Sequence, residues 1–594
     1  MSSPESLGSG VPGTYIHRTR RYTNDVLDDE HKLVVVMVGL PARGKSYIVK
    51  KLKRYLNWLG FSTRIFNVGN RRRTVARRLS QQTPTSHTSK FFDPDNKEAR
   101  AIRDQLAMDS LDELITWLQR DGGHVAIHDA TNSNRARRAM ILERCQREPH
   151  ISVLFVESIC EDQQVLRHNI RMKLMSPDYM HVDPATARKD FLARLRNYER
   201  AYQTIGTWEE KRDVQYCKII NVGKKVIANN IQGYLAGQCV FYLMNMNLAR
   251  RQIWITRHGE SDDNLSGRIG GDAPLSDAGR IYAEALTNFI SEQRAKFEVS
   301  LQTTGNSPLL VGSESTTPKD NASTSPSLAE VNATLLAQRT SPTADELTAN
   351  GHKEHNKPTE PPWLSRSSSP PTPPFPPVQP AVQGNTPHRG VSVPNGRVMD
   401  QPTDPASSSH LAPSCLVLPN VSRSSSLLNR GSPVPKFIVW TSMLKRTMET
   451  VEGFDPVLYD IKHIRALNEI YAGSCEGMTY KEIQEHFPQE FAARQANKLY
   501  YRYPGMGGES YADVIQRLHP LIVELERTTH SALIVTHNAM TRTLLAYMLD
   551  IPTTEMTRME VPLHTVYCLE PKPFGNECRK YQFSFETGQF HLVD

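Results

Sequence analysis

A short stretch near the amino terminus has the residue types and spacing of a phosphate-binding loop. It runs from Gly39 to Ser46 and fits the pattern G-x-x-x-x-G-K-[ST]. In such a loop, backbone N–H groups hold the phosphates, the lysine reaches the β and γ oxygens, and the hydroxyl binds Mg²⁺. The sequence therefore predicts nucleoside triphosphate binding by Gly39, Leu40, Pro41, Ala42, Arg43, Gly44, Lys45 and Ser46.

An aspartate and a group of arginines could complete a site for phosphoryl transfer. Asp129 follows the apolar run 124–128, which is the position of a carboxylate that binds Mg²⁺ or acts as a base. Guanidinium groups suit the oxygens of sugar phosphates, and this region contains Arg72, Arg73, Arg103, Arg135, Arg137 and Arg138. A solvated basic face is the other interpretation, and it is preferred for Arg71, Arg77 and Arg78.

A second group of residues could form and break a phosphohistidine. Arg257 and His258 follow a short apolar run, and His537 ends a second run. Arg446 follows a third. A neutral imidazole can attack phosphorus, so His258 is the predicted nucleophile. Arg257, Arg446 and His537 would surround the phosphoryl oxygens and offset their charge. This arrangement resembles the histidine phosphatase superfamily, and no metal is required for it.

The phosphate loop, Asp129 and the arginines of the first half need an α/β scaffold to bring them together. Strand patterns at residues 34–39, 63–68, 124–128, 152–158 and 218–222 alternate with helical patterns. This alternation predicts a mainly parallel sheet covered on both faces, with ligands at the carboxyl ends of its strands. We expect a P-loop kinase domain over residues 32–248.

The second group needs another α/β unit, predicted over residues 249–594. Strand patterns at 253–256, 437–440 and 532–536 are each followed directly by a polar residue. Residues 297–435 interrupt the pattern, and they are rich in proline and serine with few aromatic residues. Such a composition predicts a long disordered insert. Residues 1–31 are polar and predict a disordered arm. Within it, Arg18–Thr23 could be a protein-kinase target, but a solvated basic tail is the preferred interpretation.

Composition excludes some classes of protein. The 594 residues carry a formal net charge of +8, which suits phosphorylated substrates, and no recognised nucleic-acid module is present. The eight cysteines include no C-x-x-C pair, which favours reduced thiols in a cytoplasmic enzyme. Apolar runs fall short of the roughly 18 residues that a membrane span needs, and the first residues predict no signal peptide.

Several short motifs in order resemble the bifunctional 6-phosphofructo-2-kinase/fructose-2,6-bisphosphatase family. They are Gly39-Leu40-Pro41-Ala42-Arg43-Gly44-Lys45-Ser46-Tyr47, Phe66-Asn67-Val68-Gly69, Phe91-Phe92-Asp93-Pro94-Asp95-Asn96, Asp129-Ala130-Thr131-Asn132, Glu157-Ser158-Ile159-Cys160, Ser176-Pro177-Asp178-Tyr179 and Tyr242-Leu243-Met244-Asn245. The resemblance covers nearly the whole chain except the arm and the insert. It implies that ATP, with Mg²⁺ at Ser46 and Asp129, phosphorylates the 2-hydroxyl of fructose 6-phosphate.

The resemblance also implies roles for single residues in the kinase half. Lys45 and Lys173 would stabilise the transferring phosphoryl group, and Asp129 would act as a base or through the metal. Tyr47, Cys160 and Asn169 would lie beside ATP, with Cys160 counted among the catalytic residues. The sugar phosphate would be held by Arg72 or Arg73, Arg103, Thr131, Arg137, Arg194 and Tyr198. Lys173 stands one residue nearer Asn169 than is usual in the family.

In the phosphatase half, the resemblance implies hydrolysis of fructose 2,6-bisphosphate at its 2-phosphate. Glu469 would protonate the departing sugar oxygen. The substrate would contact Asn264, Gly270, Tyr480, Arg494, Lys498, Tyr511, Asn538 and Arg542. Three features depart from the family pattern: Tyr471 replaces an aspartate, Asn538 replaces a glutamine, and the loop 503–509 is about two residues longer than usual.

The preferred interpretation is a cytoplasmic enzyme that makes and destroys fructose 2,6-bisphosphate and so regulates glycolysis. The family implies a homodimer, and the serine clusters suggest regulatory protein kinases as partners. One alternative is a bisphosphatase with a weak or silent kinase. Another is a catalytically quiet scaffold that binds partners through the proline-rich run 370–377.

Overall fold

The computed structural model describes residues 31–79, 88–303, 437–572 and 575–593. The predicted arm and most of the predicted insert, including the run 370–377, lie outside the described residues. One boundary was wrong: the helix Asp277–Thr303 continues past residue 297. Phe297 is buried on this helix, and the Arg250 guanidinium lies 5.5 Å from the centre of its ring. This packing extends the helix beyond the predicted start of the insert.

A six-stranded sheet forms the scaffold of the first half. In chain order its strands are β1 (Lys32–Val38), β2 (Thr63–Asn67), β3 (Val125–Asp129), β4 (Ile151–Ile159), β5 (Gln215–Ile220) and β6 (Lys225–Asn229). Their spatial order is β2-β3-β1-β4-β5-β6. The first five are parallel, as predicted, and β6 pairs antiparallel with β5. The carboxyl ends of β1 and β3 therefore lie side by side.

Helices cover both faces of this sheet. They are α1 (Lys45–Trp58), α2 (Val68–Leu79), α3 (Lys97–Arg120), α4 (Arg135–Gln146), α5 (Gln163–Leu174), α6 (Pro184–Arg200), α7 (Thr207–Glu210) and α8 (Tyr234–Asn245). Helix α1 buries Ile48, Val49, Leu52 and Leu56 on one side. This apolar stripe fixes α1 against the sheet, so the loop before it sits at the end of β1.

A seven-stranded sheet forms the scaffold of the second half. Its strands are β7 (Ile253–Arg257), β8 (Phe437–Thr441), β9 (Tyr459–His463), β10 (Ala532–Thr536), β11 (Thr565–Lys572), β12 (Gly575–Ser584) and β13 (Gln589–Val593). The order is β13-β12-β11-β7-β10-β8-β9, with β7 to β10 parallel and the last three antiparallel. The three predicted strands are thus adjacent at its centre.

The helices of the second half are α9 (Asp262–Leu265), α10 (Asp277–Thr303), α11 (Lys445–Thr450), α12 (Tyr480–His486), α13 (Pro488–Ala496), α14 (Tyr511–Arg527), α15 (Asn538–Leu549) and α16 (Thr553–Met556). Helix α14 presents a broad apolar face with Val514, Leu518 and Ile522 fully buried. No helix among the described residues is both long enough and apolar enough to cross a bilayer.

The two halves share a packed interface with a charged centre. Glu526 of α14 accepts hydrogen bonds from Lys51 at 2.5 Å and from Arg54 at 2.9 Å, both on α1. All three side chains are buried. Burial alone would raise the pKa of Glu526, but the neighbouring cations outweigh it and lower the pKa. The helix that follows the phosphate loop is therefore anchored to the second half.

Candidate active sites

The predicted phosphate loop joins β1 to α1. Gly39 has φ +133°, and a Cβ added to it would lie 2.5 Å from the Ser158 carbonyl oxygen. The backbone N–H of Gly39 donates to the Thr131 carbonyl at 2.9 Å. Asn169 of α5 donates to the Ala42 carbonyl at 2.9 Å. The loop is thus held from both neighbouring strands and from α5.

The Lys45 ammonium is the centre of the first site. It donates to the carbonyl oxygens of Gly39 at 2.7 Å and Leu40 at 2.6 Å. Burial lowers the pKa of Lys45 to about 7, although the Asp129 charge acts to raise it. Burial raises the pKa of Asp129, and both Lys45 and Lys173 oppose that rise. Lys173 stands one residue nearer Asn169 than is usual in the family, but its charge still lies close to Lys45 and Asp129.

One cleft of about 1530 Å³ connects the loop with the predicted sugar-phosphate residues. The predicted residues that line it are Pro41, Ala42, Gly44, Lys45, Ser46, Tyr47, Arg72, Arg73, Arg103, Asp129, Thr131, Arg137, Asn169, Lys173, Arg194 and Tyr198. Cys160 is not among its lining residues, and its thiol contacts the Asp162 carbonyl oxygen at 3.9 Å. The geometry gives no support to a catalytic role for Cys160.

The Ser46 hydroxyl and the Asp129 carboxylate line the same cleft. Mg²⁺ in phosphoryl-transfer sites is held by one or two protein oxygens, with water and phosphate oxygens completing its octahedron. These two residues fit that requirement. The Asn67 side-chain amide donates to Asp129 Oδ2 at 2.5 Å, which leaves the other carboxylate oxygen for a metal or a hydroxyl group.

Three of the predicted arginines converge on an acidic residue. Arg72 contacts Asp178 at 2.5 Å, and Arg73 and Arg194 contact it at 3.3 Å. Burial would raise the pKa of Asp178, but the three guanidinium groups outweigh burial and lower the pKa to about 2. The Arg194 guanidinium also lies 3.8 Å from the centre of the Phe92 ring. Asp178 and Phe92 thus set the positions of these arginines.

The other two predicted arginines are held by different partners. Arg103 donates to the carbonyl oxygens of Phe91 and Asp93. Arg137 donates to the Asp104 carboxylate at 2.5 Å. Both side chains line the cleft. The structure therefore brings all five arginines predicted to bind the sugar phosphate to one cavity.

In the second half, two histidines and an arginine form the centre of the second site. His258 Nδ1 lies 2.6 Å from the Gly259 carbonyl oxygen, so Nδ1 carries the proton and Nε2 holds the lone pair. Arg446 Nε donates to His258 Nε2 at 3.1 Å and to His537 Nδ1 at 3.3 Å. His537 Nε2 lies 2.8 Å from Ser442 Oγ.

Both imidazoles are held in the neutral form. Burial lowers the pKa of His258 well below its usual value, and the positive charges of Arg446 and Arg257 add to this effect. The pKa of His537 is lowered in the same way, first by burial and then by Arg446. The two rings lie 5.1 Å apart between centroids. A neutral His258 is the form that can act as a nucleophile at neutral pH.

Glu469 and Arg257 lie beside this centre. Backbone N–H groups of Ile470 and Ala539 donate to the Glu469 carboxylate at 2.8 Å and 3.3 Å. Burial lowers the pKa of Arg257 to about 10, and the Glu469 charge opposes that shift. Burial also lowers the pKa of Arg446, and the Glu469 charge opposes that shift too. The predicted acid is therefore close to both cations of the site.

The residues predicted to hold the sugar form a connected basic and aromatic group. Arg494 donates to the Tyr480 hydroxyl at 3.0 Å, and Arg542 donates to the Tyr511 hydroxyl at 3.1 Å. Lys498 donates to the Thr557 carbonyl at 3.1 Å. Burial, Arg542 and Arg494 lower the pKa of Lys498 to about 8. Such a group suits a second phosphate of the substrate.

Of the remaining predicted contacts, Asn264 and Gly270 are fixed by neighbouring residues, whereas Asn538 has an unpaired side-chain oxygen. Asn264 Oδ1 accepts from the backbone N–H of Ser261 at 3.0 Å and caps α9. Gly270 has φ +73°, and a Cβ there would lie 2.1 Å from Glu476 Oε1. Asn538 begins α15, and its Oδ1 is buried without a partner among the described residues. That unpaired oxygen fits a ligand donor.

Two of the departures from the family pattern are in contact. A Cβ added to Gly507, in the longer loop, would lie 3.3 Å from two carbons of the Tyr471 ring. The Tyr471 backbone is held at both ends by Glu509, the last residue of that loop. The tyrosine and the lengthened loop thus form one local arrangement.

Two residues hold reacting groups without having a predicted role; Asn67 stood only inside a motif, and Ser442 stood in none. Asn67 bonds Asp129, and Ser442 bonds His537. Asn67 ends β2 and is paired with Asp129 at the end of the neighbouring strand β3. Ser442 follows β8, and His537 follows the neighbouring strand β10. The signal was therefore present in the strand pattern. It needed the strand order, which the sequence did not supply.

Comparison with known proteins matches both halves. Residues 20–250 match a family described as 6-phosphofructo-2-kinase. Residues 253–362 and 426–584 match the histidine phosphatase superfamily, branch 1.

Relatives extend over nearly the whole chain. A probable 6-phosphofructo-2-kinase of Schizosaccharomyces pombe is 40% identical over 564 residues, covering 95% of this chain and 71% of that protein. A 6-phosphofructo-2-kinase/fructose-2,6-bisphosphatase of Aquarana catesbeiana is 34% identical and covers 94% of this chain and 86% of that protein. The human 6-phosphofructo-2-kinase/fructose-2,6-bisphosphatase 3 is 34% identical, covering 92% of this chain and 75% of that protein. The chain belongs to the bifunctional 6-phosphofructo-2-kinase/fructose-2,6-bisphosphatase family.

Proposed function

We propose that this chain makes fructose 2,6-bisphosphate from fructose 6-phosphate and ATP, and hydrolyses it at the 2-phosphate through a phosphohistidine. The observation that carries the proposal is that one chain holds two different phosphoryl-transfer sites. One is a phosphate-loop lysine facing Asp129 in an arginine-lined cleft. The other is a pair of neutral histidines on either side of Arg446.

In the kinase site, the sugar 2-hydroxyl attacks the γ-phosphorus, and the bond from that phosphorus to the ADP oxygen breaks. Asp129 accepts the hydroxyl proton, and its raised pKa suits a base working near neutral pH. Lys45 and Lys173 place positive charge around the transferring group. Mg²⁺, held by Ser46 and Asp129, would supply further charge neutralisation. Arg72, Arg73 and Arg194 would bind the 6-phosphate.

In the phosphatase site, the lone pair on His258 Nε2 forms a bond to the 2-phosphorus. The bond from phosphorus to the sugar oxygen breaks, and Glu469 gives a proton to that oxygen. Water then attacks the phosphohistidine and loses a proton to Glu469, which releases inorganic phosphate and restores His258. Arg446 would turn its donors from the imidazoles to the phosphoryl oxygens.

We further propose that the enzyme is a cytoplasmic homodimer controlled by protein kinases. Its family and the serine clusters at 367–369 and 424–426 support this proposal. Serines next to basic residues suit phosphorylation by such enzymes.

The two activities can be tested on one preparation. One sample receives Mg-ATP and fructose 6-phosphate and is assayed for fructose 2,6-bisphosphate. The other receives fructose 2,6-bisphosphate and is assayed for inorganic phosphate. We expect both products. Synthesis without hydrolysis, or hydrolysis without synthesis, would contradict the bifunctional proposal.

A further inference from the structure

Glu469 lies on a segment that forms no strand. It follows the short 3₁₀ turn Arg465–Leu467, and residues 468–472 have no regular secondary structure. A general acid needs its carboxyl group within hydrogen-bond reach of the leaving oxygen. Something other than a sheet ladder must therefore hold this backbone in place.

Arg517 provides that support from helix α14. Its Nη1 donates to the carbonyl oxygens of Ala466 at 3.0 Å and Asn468 at 2.8 Å, with a longer contact of 3.4 Å to Arg465. Its Nη2 lies 3.4 Å from the carbonyl oxygen of Glu469 itself. One planar guanidinium thus contacts four carbonyl groups, two in the 3₁₀ turn and two in the segment that follows it. The five donors and fixed shape of arginine suit this task, and lysine could not reproduce it.

Glu509 completes the support from the other side. Its carboxylate accepts from Arg517 Nη2 at 2.9 Å and from the Tyr471 backbone N–H at 3.0 Å. Its own backbone N–H donates to the Tyr471 carbonyl at 3.0 Å. The Arg517–Glu509 pair therefore grips the segment on both sides of Glu469.

We propose that Arg517, oriented by Glu509, is the positioning residue that holds Glu469 for protonation of the leaving sugar oxygen. This inference rests on the proposed bisphosphatase activity, in which Glu469 is the acid. Arg517 does not touch the reacting atoms. It holds Glu469 through the backbone, so its loss should slow the step in which that acid takes part. Its charge also helps to lower the pKa of His537, after burial and the charges of Arg446, His258 and Arg257, and Arg517→Lys keeps that charge.

The test uses leaving groups that differ in their need for an acid. An alkoxide leaving from a sugar needs protonation, whereas p-nitrophenolate leaves without it. Single-turnover phosphorylation of His258 is measured with fructose 2,6-bisphosphate and with p-nitrophenyl phosphate. In Arg517→Met we expect about 10- to 100-fold slower phosphorylation by the sugar, because displacement of a catalytic group is costly. Phosphorylation by p-nitrophenyl phosphate should change less than about two-fold.

Three controls accompany this variant. Arg527→Met removes an exposed arginine on the same helix, paired with Glu524 at 2.5 Å, and should leave both rates unchanged. The kinase activity of Arg517→Met reports on the fold. Arg517→Lys serves if the methionine variant does not fold, and it should show a smaller loss with the same substrate selectivity.

The same rates are measured in Glu469→Gln, alone and combined with Arg517→Met, so that failure of the positioning role can be distinguished from failure of the proposed function. If Glu469→Gln slows the sugar reaction and Arg517→Met adds no further loss, the positioning role is supported. An equal slowing with both substrates, or a full additional loss in the Glu469→Gln background, would overturn it. If Glu469→Gln leaves the sugar reaction unchanged, the assignment of the acid fails, and the role of Arg517 fails with it.

Discussion

At the scale of single residues, Lys45 links burial to the chemistry of the kinase site. Burial brings the pKa of its ammonium to about 7, so in the free enzyme a large fraction is neutral above that pH. A bound triphosphate brings negative charge that favours the ammonium form. Nucleotide binding at pH 8 should therefore take up protons, and the affinity should fall as the pH rises above about 7. Titration calorimetry in buffers of different ionisation enthalpy measures this uptake.

The Lys45→Met variant should lose most of the proton uptake. Lys53→Met is a matched control, because Lys53 lies on the same helix and pairs with Asp550 at 3.3 Å outside the cleft. Proton uptake that is unchanged in Lys45→Met would show that another group is responsible.

Motifs in the sequence marked residues that the structure brings to one cleft, whereas side chains that act through the fold were not marked by any motif role. The residues of the phosphate loop follow from spacing. Asp178 was seen only as part of a motif. Two of its three arginine partners, Arg72 and Arg73, lie more than a hundred residues away in the chain, and Arg194 lies 16 residues away. Arg517 carries no motif, and its carbonyl partners are invisible in the sequence.

At the scale of elements, the junction of β1 and α1 depends on Gly39. Alanine there would place Cβ 2.5 Å from a backbone carbonyl oxygen and would adopt a strained φ of +133°. We expect Gly39→Ala to destabilise the protein by about 1–3 kcal/mol and to weaken nucleotide binding at least tenfold. Denaturant unfolding and nucleotide titration measure the two effects.

Gly60 offers a matched control at the other end of α1. Its φ is +96°, but an added Cβ would meet nothing within 4 Å. Gly60→Ala should show backbone strain without loss of nucleotide affinity. Equal effects of the two substitutions on binding would argue against a role for the close approach at Gly39.

The parallel centres of both sheets were predictable, and their antiparallel edges were not. Strands β1 and β10 are largely apolar, and β3 begins with three apolar residues before His128 and Asp129; nearly every residue of the three strands is buried. Mostly apolar runs of this kind are typical of buried parallel strands. Strand β12 reads Gly-Asn-Glu-Cys-Arg-Lys-Tyr-Gln-Phe-Ser and is mostly half-buried or exposed. Its polar composition gives no strand pattern that could be recognised in the sequence. The strand is stabilised by antiparallel pairing with β11 and β13 and not by its own hydrophobicity.

At the scale of the whole molecule, Glu526 joins the two halves. It is buried against Lys51, Arg54 and Arg251. Removing it leaves buried cations without their carboxylate partner, which costs about 3–5 kcal/mol. Glu526→Ala should therefore lower the melting temperature, and heating should remove both activities at the same lower temperature. Residual kinase and phosphatase activities after heating measure this.

The exposed pair between Lys53 and Asp550 joins the same two halves and provides the comparison. Its side chains are 34% and 49% exposed, so Asp550→Asn should cost no more than about 1 kcal/mol. The depressed pKa of Glu526 means that its contribution is present above the unfolded pKa and is lost as the pH falls. The stability difference between Glu526→Ala and the parent should shrink in acid. A Glu526→Ala variant that lost only one activity on heating would contradict a shared interface.

The central claim is that two independent sites act on one chain, and reciprocal inactivation tests it most directly. The parent protein, Lys45→Ala and His258→Ala are each incubated with fructose 2,6-bisphosphate labelled with ³²P at position 2. The reaction is quenched in alkaline detergent, and the label bound to protein is measured. Synthesis of fructose 2,6-bisphosphate is measured in parallel. We predict that Lys45→Ala keeps the label and loses synthesis, and that His258→Ala loses the label and keeps synthesis. Loss of both activities in either folded variant, or label retained in His258→Ala, would contradict the account.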